Sequence, residues 1–512
     1  MARVRSPQLQ ARLGALIVSK ATLKLMTGTM KLPWTGRCST ASGRIALAAM
    51  FAVSLGGCGG REVVPLAVEF AGCTEVVRDG PTCQFTDRAA KKPTRLTLWV
   101  PDSPDASFET RVTIGGERLE IRGSAVLGGT RFTVPIPRAA CEISVARGDT
   151  RTWRLQIATR PATPHWLAEA TRLAEGDRLD QRKAREAIER ELPRLSAEFR
   201  ARALSLLARL PSDPEKPDRF RIELGRALAA RRAAGQLYGE VSDAAALASD
   251  LLEDYQLAEA ARVLNSVDLS VSTLAEAHFQ IELQRAVVAF QAGNFRGALH
   301  ELDIAATRAE RLGLTDLKNS ADHQRALVLH EIGRFAEADA LLGQLFEHES
   351  RHVPPCTASS LRTNRGWGRL LAQEAGSPLG DPLADLKAAR ELIAMGNGCA
   401  ADRELNAELN LALAFLQRQS FTDAERVLDQ AKRLVRSATG DRRLWLREID
   451  ARLALARGDH ERALVLFREL AKDSAATGSL EALWRAQYGQ AQVLADTPRW
   501  YEALLPLAES ED

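Results

Sequence analysis

Residues 286–298, AVVAFQAGNFRGA, contain a spacing that recurs along the second half of the chain. Ala286 lies nine residues before Phe295, and Ala298 lies three residues after it. The same spacing surrounds five further positions, of which the first is the weakest copy: Leu257 with Ala248 and Ala260, Phe335 with Ala326 and Ala338, Phe421 with Ala412 and Ala424, His460 with Ala451 and Ala463, and Trp500 with Ala491 and Ala503. The successive steps in residue number are 38, 40, 86, 39 and 40, and such a period predicts a repeat architecture.

The paired alanines indicate a hairpin of two antiparallel α-helices in each repeat. A small residue on each helix lets the two helices approach closely, and the aromatic residue after the turn is expected to plug the gap between them. A large apolar residue follows each of these positions by seven residues and extends the predicted buried stripe: Leu302, Leu342, Leu428, Phe467 and Leu507. One hairpin cannot bury its own apolar faces, so neighbouring hairpins are expected to stack into a solenoid.

The longest step, from Phe335 to Phe421, is about twice the others and predicts a degenerate repeat near Asn364–Ile393. We expect Gly368 to be the small residue of its first helix and Ser377–Pro382 to form an inserted turn.

The spacing resembles the tetratricopeptide (TPR) family in its long-spaced form, although the family's first-helix Trp and terminal Pro are mostly missing. The resemblance implies a superhelix whose inner wall is built from first helices and binds a peptide or a segment of a partner protein. Carried over position by position, it places ten residues on that wall: Gln280, His323, His330, Asn406, Trp445, Glu448, Arg452, Arg485, Tyr488 and Gln492. Side chains that only keep this face hydrated are the simpler alternative.

The repeats occupy residues 241–512 of the predicted organisation. Residues 161–240 are predicted to be helical, with a break at Leu210–Pro217, and to be degenerate repeats or a cap. Residues 58–160 alternate with period two, for example at Leu96–Val100 and Arg111–Ile114, and glycine pairs mark hairpin turns. The pattern predicts roughly seven short strands in a small sandwich or barrel. The fold class is therefore mainly α, with a TPR-like α-solenoid preceded by a small all-β domain.

Residues 1–57 have the features of a lipoprotein signal peptide. An apolar run at Ile45–Leu55 follows basic residues and precedes small ones, which is typical of a secretory signal. The sequence Leu55-Gly56-Gly57-Cys58 resembles the bacterial lipobox, in which the cysteine is lipidated. The resemblance implies an outer-membrane lipoprotein that faces the periplasm or the cell surface, tethered through Cys58.

Charge and hydropathy exclude two classes of protein. The formal charge of +3 becomes −5 when residues 1–57 are left out, because that segment holds eight basic residues and no acidic ones. A slightly acidic body lacks the dense basic face of a nucleic-acid binder. No apolar run reaches the roughly 18 residues of a membrane-spanning helix.

Five cysteines remain after Cys38 and Cys58 are set aside. Cys73 and Cys83 flank a predicted turn and are candidates for a disulfide, and Cys356 and Cys399 are a second possible pair. The fifth, Cys141, completes an odd count, so one thiol is left over, and the spacings alone do not say which. No CxxC pair is present, so we predict neither a cysteine metal site nor a cofactor.

One string matches a zinc-peptidase pattern. His348-Glu349-Ser350-Arg351-His352 reads HExxH, which on a helix places two histidines one turn apart with Glu349 as general base. Pro354 and Pro355 end the helix at once, and Glu374 is the only tempting third ligand. We therefore favour a solvated helix end over a metal site.

A narrower resemblance involves the β-region. Phe70-Ala71-Gly72-Cys73, Pro81-Thr82-Cys83 and Leu96–Val100 resemble the opening of bacterial lipoproteins that carry a TPR array and a C-terminal caspase-like CHAT peptidase. No cysteine follows Cys399 and no histidine follows His460, so the peptidase's His/Cys pair has no counterpart. The resulting expectation is a lipid-anchored scaffold for protein partners, with a truncated or partnered CHAT-type protease as the alternative.

Overall fold

The computed structural model describes residues 68–73, 75–77, 82–85, 95–102, 110–136, 140–147, 151–159, 163–174, 178–210, 219–254, 256–270, 274–349, 354–396, 399, 401–435 and 440–495. All of these residues belong to one compact unit. The signal segment, Cys58, Trp500, Ala503, Leu507 and the string Ser350–His352 lie outside the described residues.

Ten described strands form two sheets near the start of the chain, where the sequence predicted roughly seven strands. They are β1 (Glu69–Ala71), β2 (Glu75–Val77), β3 (Thr82–Phe85), β4 (Arg95–Pro101), β5 (Thr110–Ile114), β6 (Glu117–Leu119), β7 (Ser124–Val126), β8 (Gly129–Pro135), β9 (Cys141–Arg147) and β10 (Arg151–Thr159). One sheet has the order β1-β4-β8-β7, and the other has the order β2-β3-β10-β9-β5-β6. All pairs are antiparallel except β3 with β10.

The two sheets share one core because alternate residues of their strands point inward. Leu96 and Leu98 of β4 meet Ile143 of β9 and Leu155 of β10, and all four are fully buried. A disulfide joins Cys73, just after β1, to Cys83 of β3, with sulfur atoms 2.05 Å apart. Cys141 is a half-buried free thiol.

Seventeen described α-helices follow the strands. They are α1 (His165–Ala174), α2 (Arg178–Glu191), α3 (Ala197–Arg209), α4 (Arg219–Ala233), α5 (Leu237–Glu253), α6 (Leu257–Asn265), α7 (Ala275–Gln291), α8 (Phe295–Leu312), α9 (Thr315–Glu331), α10 (Phe335–Glu349), α11 (Pro355–Glu374), α12 (Pro382–Met395), α13 (Ala401–Gln417), α14 (Phe421–Leu434), α15 (Gly440–Ala456), α16 (His460–Thr477) and α17 (Leu480–Ala495). From α5 onward, odd and even helices are the first and second helices of successive hairpins. This arrangement confirms the predicted TPR-like solenoid preceded by a small β-region.

The alanine pairs lie inside the hairpins, as the packing argument requires. Ala286 and Ala298, like Ala326 and Ala338, are at most 2% exposed. The large residues of the predicted stripe are buried wherever they are described: Leu302, Leu342, Leu428 and Phe467. The turn aromatics are less buried than predicted, because each begins a second helix and is half-buried: Phe295, Phe335 and Phe421, with His460 in the fourth case. Phe295 and Phe421 nevertheless pack against the buried cores of their hairpins, while the alanines form the fully buried part of the interface.

The degenerate hairpin α11–α12 corrects the sequence prediction of its small residue. A Cβ on Gly366 would lie 2.6 Å from Cγ of Leu386, so Gly366 is the residue that lets α12 approach α11. Gly368 instead accommodates His330 of α9, whose Nε2 would lie 2.0 Å from an added Cβ. Gly366 also follows Ala326 at the same interval at which Ala326 follows Ala286, so it keeps the step of the repeat. The inserted segment is residues 375–381, and Pro382 already belongs to α12.

The β-region packs directly against the hairpin α7–α8. Arg308 of α8 pairs with Glu69 of β1 at 2.5 Å and with Glu282 of α7 at 2.9 Å. The Arg311 guanidinium lies 4.3 Å from the centre of the Trp99 ring, and the Gly72 amide donates to Glu276 Oε1 at 2.8 Å. The buried cluster of the sheets continues into α4, α5, α6 and α7. The β-region and the first hairpins therefore share one core, although the boundaries proposed at residues 57, 160 and 240 stay predictions.

The first testable expectation concerns one position in the turn between the two helices of a hairpin. Gly293, Gly333 and Gly458 occupy the left-handed region at φ values of 73°, 76° and 82°, and Gln419 occupies the same turn position at 58°. A side chain there costs roughly 1 kcal/mol, which the greater freedom of glycine in the unfolded chain partly offsets. We expect Gln419→Gly to raise the free energy of unfolding by about 0.5 kcal/mol in urea melts. The reverse change Gly458→Gln is the matched control and should lower it by about the same 0.5 kcal/mol; a loss of stability in Gln419→Gly would contradict the argument.

Candidate functional site

A cavity of about 360 Å³ lies along the first helices of the array. Its lining comes from α7, α9, α11, α13, α15 and α17, together with the residue that precedes α17, and no second helix contributes a described residue. The lining residues are Phe290, Leu327, His330, Glu331, Asn364, Trp367, Asn406, Asn410, Arg442, Leu444, Trp445, Glu448, Ser479, Ala482 and Arg485. The first helices thus form one continuous wall, which we call the groove.

Five of the ten residues that the sequence placed on this wall line the cavity: His330, Asn406, Trp445, Glu448 and Arg485. The other five lie outside its lining: Gln280, His323, Arg452, Tyr488 and Gln492. Gln280 donates weakly to the Tyr238 hydroxyl at 3.4 Å, and the Tyr488 ring stacks on Trp484 at 5.8 Å. Whether any of the ten contacts a partner stays a prediction.

Two tryptophans, Trp367 of α11 and Trp445 of α15, line the cavity. The Trp367 and Trp445 rings meet edge to face, with centroids 5.6 Å apart and planes at 75°. The Arg485 guanidinium carbon lies 5.9 Å from the centre of the Trp367 ring. Glu448 is buried and pairs with Arg452 at 2.7 Å and with Arg485 at 3.6 Å, so its charge is compensated within the protein.

Sequence reasoning missed Trp367 and a ladder of amide side chains. Each of these amides lies two residues before the small residue of its first helix: Gln284 on α7, Gln324 on α9, Asn364 on α11 and Asn410 on α13. The first three recur at the interval that separates Phe295 from Phe335, within the tripeptides Gln-Arg-Ala, Gln-Arg-Ala and Asn-Arg-Gly. That repetition was available in the sequence and would also have identified Gly366. Asn364 and Asn410 line the cavity, and Gln324 borders a smaller void beside Phe290.

Three buried polar atoms of the uncharged cavity residues have no hydrogen-bond partner within the described part of the chain. They are Nε1 of Trp445, Oδ1 of Asn410 and Nδ1 of His330. Asn410 and His330 are 2% and 3% exposed. Asn410 Nδ2 donates to the Asn406 carbonyl oxygen at 3.0 Å, an orientation that leaves its Oδ1 as an acceptor. Unsatisfied buried groups are costly, and a bound ligand is one way to satisfy them.

The two histidines of α9 are neutral at physiological pH. Burial lowers the pKa of His330 to about 4, against a smaller opposing effect of Asp339. Burial, with a contribution from the positive charge of Arg403, lowers the pKa of His323 to about 4 as well. His323 Nε2 lies 2.6 Å from Asn364 Nδ2, so the neutral ring accepts from this amide of the groove wall. Neither histidine of α9 therefore adds a charge to the groove wall.

Glu408 of α13 provides a second testable expectation. Its side chain is fully buried, neither oxygen finds a partner among the described residues, and burial raises its pKa above 4.5. A raised pKa in the folded state means that Glu408's contribution to stability is present at acid pH and is lost as the pH rises through the folded-state value. We expect Glu408→Met to raise the free energy of unfolding by about 1–3 kcal/mol at pH 8 and by less at pH 4.5.

Urea melts of both proteins at the two pH values measure this effect. Glu391→Met, which removes an exposed carboxylate from α12, is the control and should change stability by less than about 0.5 kcal/mol at either pH. An equal gain for Glu408→Met at both pH values would contradict the titration of a buried carboxyl.

The described residues contain no candidate metal site. No group of three or more His, Cys, Asp or Glu side chains there is placed to hold a metal ion. The side chains of His348 and Glu349 and the whole of His352 lie outside the described part, so the HExxH interpretation is not tested. Cys356 and Cys399 are joined by a disulfide. None of the described helices combines the length and apolarity needed to span a bilayer.

Comparison with known proteins finds similarity in fold alone. No family model matches the chain, and no curated protein matches it. A Rap protein complexed with competence and sporulation factor is 14% identical, covers 67% of this chain and 95% of its own, and superposes with a TM-score of 0.48. The apo quorum sensor NprR from B. thuringiensis is 12% identical, with coverages of 67% and 95% and a TM-score of 0.45. Yeast Tom70 is 15% identical, with coverages of 64% and 62% and a TM-score of 0.40. Similarity at this level says nothing about what this chain binds.

Proposed function

We propose that this chain is a lipid-anchored scaffold that holds an extended segment of a partner protein in the groove. The observation that carries the proposal is the cavity along the first helices, with amide side chains that recur at one repeat position. A side-chain amide has one acceptor oxygen and two donor hydrogens, which match the carbonyl and N–H of a peptide group. Such a ladder recognises main chain, whatever the side chains of the bound segment are.

The dimensions favour an extended segment. Packed helices are about 8–10 Å apart, and an extended chain rises about 3.3 Å per residue, so successive amides would meet roughly every third residue. The lining also combines aromatic and aliphatic surface with these polar groups, which is typical of peptide-binding grooves. A folded partner surface presents few free peptide groups at that spacing.

A random peptide library displayed on phage, selected on the purified full chain, tests groove binding. We expect a selected peptide to bind the wild type and to bind Asn364→Ala and Asn410→Ala about tenfold more weakly, because each change removes a main-chain hydrogen bond. Gln373→Ala removes an exposed amide at the end of α11 and should leave the affinity unchanged. Failure to select any peptide, or equal binding by all four proteins, would argue against the groove. Circular dichroism melts verify that each variant is folded.

The membrane anchor is a separate part of the proposal and rests on the lipobox-like residues Leu55–Cys58 behind the apolar run Ile45–Leu55. One acyl-modified cysteine adds membrane affinity of roughly 0.8 kcal/mol per buried methylene. We expect the full chain expressed in a Gram-negative host to incorporate radiolabelled palmitate and to sediment with the outer membrane. Cys58→Ser should abolish the labelling and release the protein from the membrane fraction, whereas Cys141→Ser should do neither. Labelling that survives in Cys58→Ser would overturn the anchor.

No observation on the described residues favours the zinc-peptidase or the CHAT-type alternative.

A further inference from the structure

We infer that the cavity binds, beside Trp367 and Trp445, one uncharged, bulky apolar side chain of the bound segment together with an adjoining peptide group. This inference rests on the proposed function and adds a specificity to it. It is carried by three features of the same cavity: unpartnered polar atoms, apolar walls, and ionic groups that already have partners.

The polar atoms require a peptide-like ligand. Trp445 Nε1 is a donor without an acceptor, and Asn410 Oδ1 is an acceptor without a donor, within the residues that the structure describes. A peptide group supplies both missing partners, because its carbonyl accepts and its N–H donates. A hydrocarbon alone would leave these two buried atoms without partners, which costs free energy.

The walls require an apolar side chain beside that peptide group. Phe290, Leu327, Trp367 and Leu444 are large apolar residues in the lining of the cavity. The volume of about 360 Å³ falls within the range of small-ligand sites, so a large side chain fits together with its main-chain atoms.

The charged residues of the wall argue against a charged ligand. Glu448 is paired with Arg452 and Arg485, and Glu331 and Arg442 also have interaction partners within the protein. A further carboxylate or ammonium group entering the cavity would lose its hydration and find no uncompensated opposite charge. Discrimination against charged side chains is therefore expected, beyond a simple preference for apolar ones.

Blocked amino acids are the probes for this site, since each carries one side chain between two peptide groups. The full chain is labelled with ¹⁵N-tryptophan and titrated with the N-acetyl methylamides of phenylalanine, glutamate and lysine. We expect the phenylalanine derivative to shift the indole N–H signal of Trp445 with millimolar affinity. The glutamate and lysine derivatives should leave that signal unshifted at the same concentrations.

Three variants separate the hydrogen bonds from general packing. Trp445→Phe keeps an aromatic ring against Trp367 and deletes the donor, and it should weaken binding of the phenylalanine derivative about tenfold, as followed by saturation-transfer NMR. Trp484→Phe changes a tryptophan that is 40% exposed and outside the cavity, and it should bind like the wild type. Asn410→Leu removes the acceptor and should also weaken binding.

Two results would overturn the inference: equal binding of the three derivatives, or wild-type affinity in Trp445→Phe. If selected peptides still bind the groove and depend on Asn364 while no derivative shifts Trp445, the specificity fails and the proposed function stands. If the phenylalanine derivative binds and the library selects no peptide, the preference for an apolar side chain stands and the binding of an extended segment in the groove fails.

Discussion

Replacing Asp385 by alanine is expected to lower the free energy of unfolding by about 3–5 kcal/mol, because it removes a buried carboxylate that three partly buried arginines share. Asp385 is 2% exposed on α12. Its carboxylate accepts from Arg362 at 2.5 Å and from Arg369 at 2.8 Å, and Arg365 lies 3.7 Å away. Arg365 and Arg369 share a second carboxylate, Asp339 of α10, at 3.2 Å and 2.7 Å. One change therefore disturbs a network that joins two hairpins.

The position of Asp385 makes the result informative. It follows the first residue of α12 by three, which is where the other second helices carry alanine, for example Ala338 of α10. Alanine should thus fit the backbone well, and a large loss would come from the charges. We expect Arg362→Met in the Asp385→Ala background to restore part of the stability, since it removes one unpaired charge.

Urea melts measure both effects. The control is Asp429→Ala, which removes an exposed carboxylate of α14 and should cost less than about 0.5 kcal/mol. A loss below about 1 kcal/mol for Asp385→Ala would show that solvent enters the network and compensates the arginines. The pKa of Asp339 is held below its ordinary value by Arg369 and Arg365 although burial opposes this, so wild-type stability should also decline as the pH falls below about 3.8.

Removing the disulfide between Cys356 and Cys399 is the second change with a large expected effect. The bond closes a segment of 43 residues that contains the whole degenerate hairpin α11–α12. In the loop-entropy description, a closure of this length stabilises the folded chain by about 4 kcal/mol. The double change Cys356→Ser and Cys399→Ser should therefore lower the melting temperature by several degrees.

The same double change should lower the affinity of the groove for a peptide, because α11 contributes Asn364 and Trp367 to the cavity wall. A selected peptide should bind the double variant less tightly than the wild type. The matched control is Cys73→Ser with Cys83→Ser, which opens a closure of only 10 residues in the β-region. That pair should cost roughly 3 kcal/mol or less and leave peptide affinity unchanged. Equal effects of the two pairs on affinity would contradict a local role of α11.

The sequence predicted the hairpins well because their determinants are local. Small residues at fixed distances from a turn can be read directly, and their burial at Ala286, Ala298, Ala326 and Ala338 follows from helix geometry alone. The small residue of the degenerate hairpin was predicted two positions away from its actual place, at Gly368. The alanine pattern fails in this hairpin because a turn is inserted between its helices and a buried carboxylate stands where the second helix would carry alanine. Asp385 resembles a surface residue in the sequence, and only its three arginine neighbours explain its place in the core.

The sequence analysis identified only part of the candidate site. The resemblance to the TPR family placed His330, Asn406, Trp445, Glu448 and Arg485 on the wall, and they line the cavity. Trp367 was missed because it lies on the degenerate helix. The amide ladder was missed although its spacing is regular, because attention to small and aromatic residues passes over Gln and Asn.

The sequence by itself determined the class of fold, the length and order of the hairpins and the small residues at most of their interfaces, since these depend on spacings within a single repeat. Tertiary structure alone decided which polar atoms remain without partners, how Arg308 joins Glu69 of the β-region to Glu282 of α7, and where six first helices together enclose a cavity. The physical reason is distance along the chain: Glu69 and Arg308 are 239 residues apart, and no local pattern encodes a contact of that range.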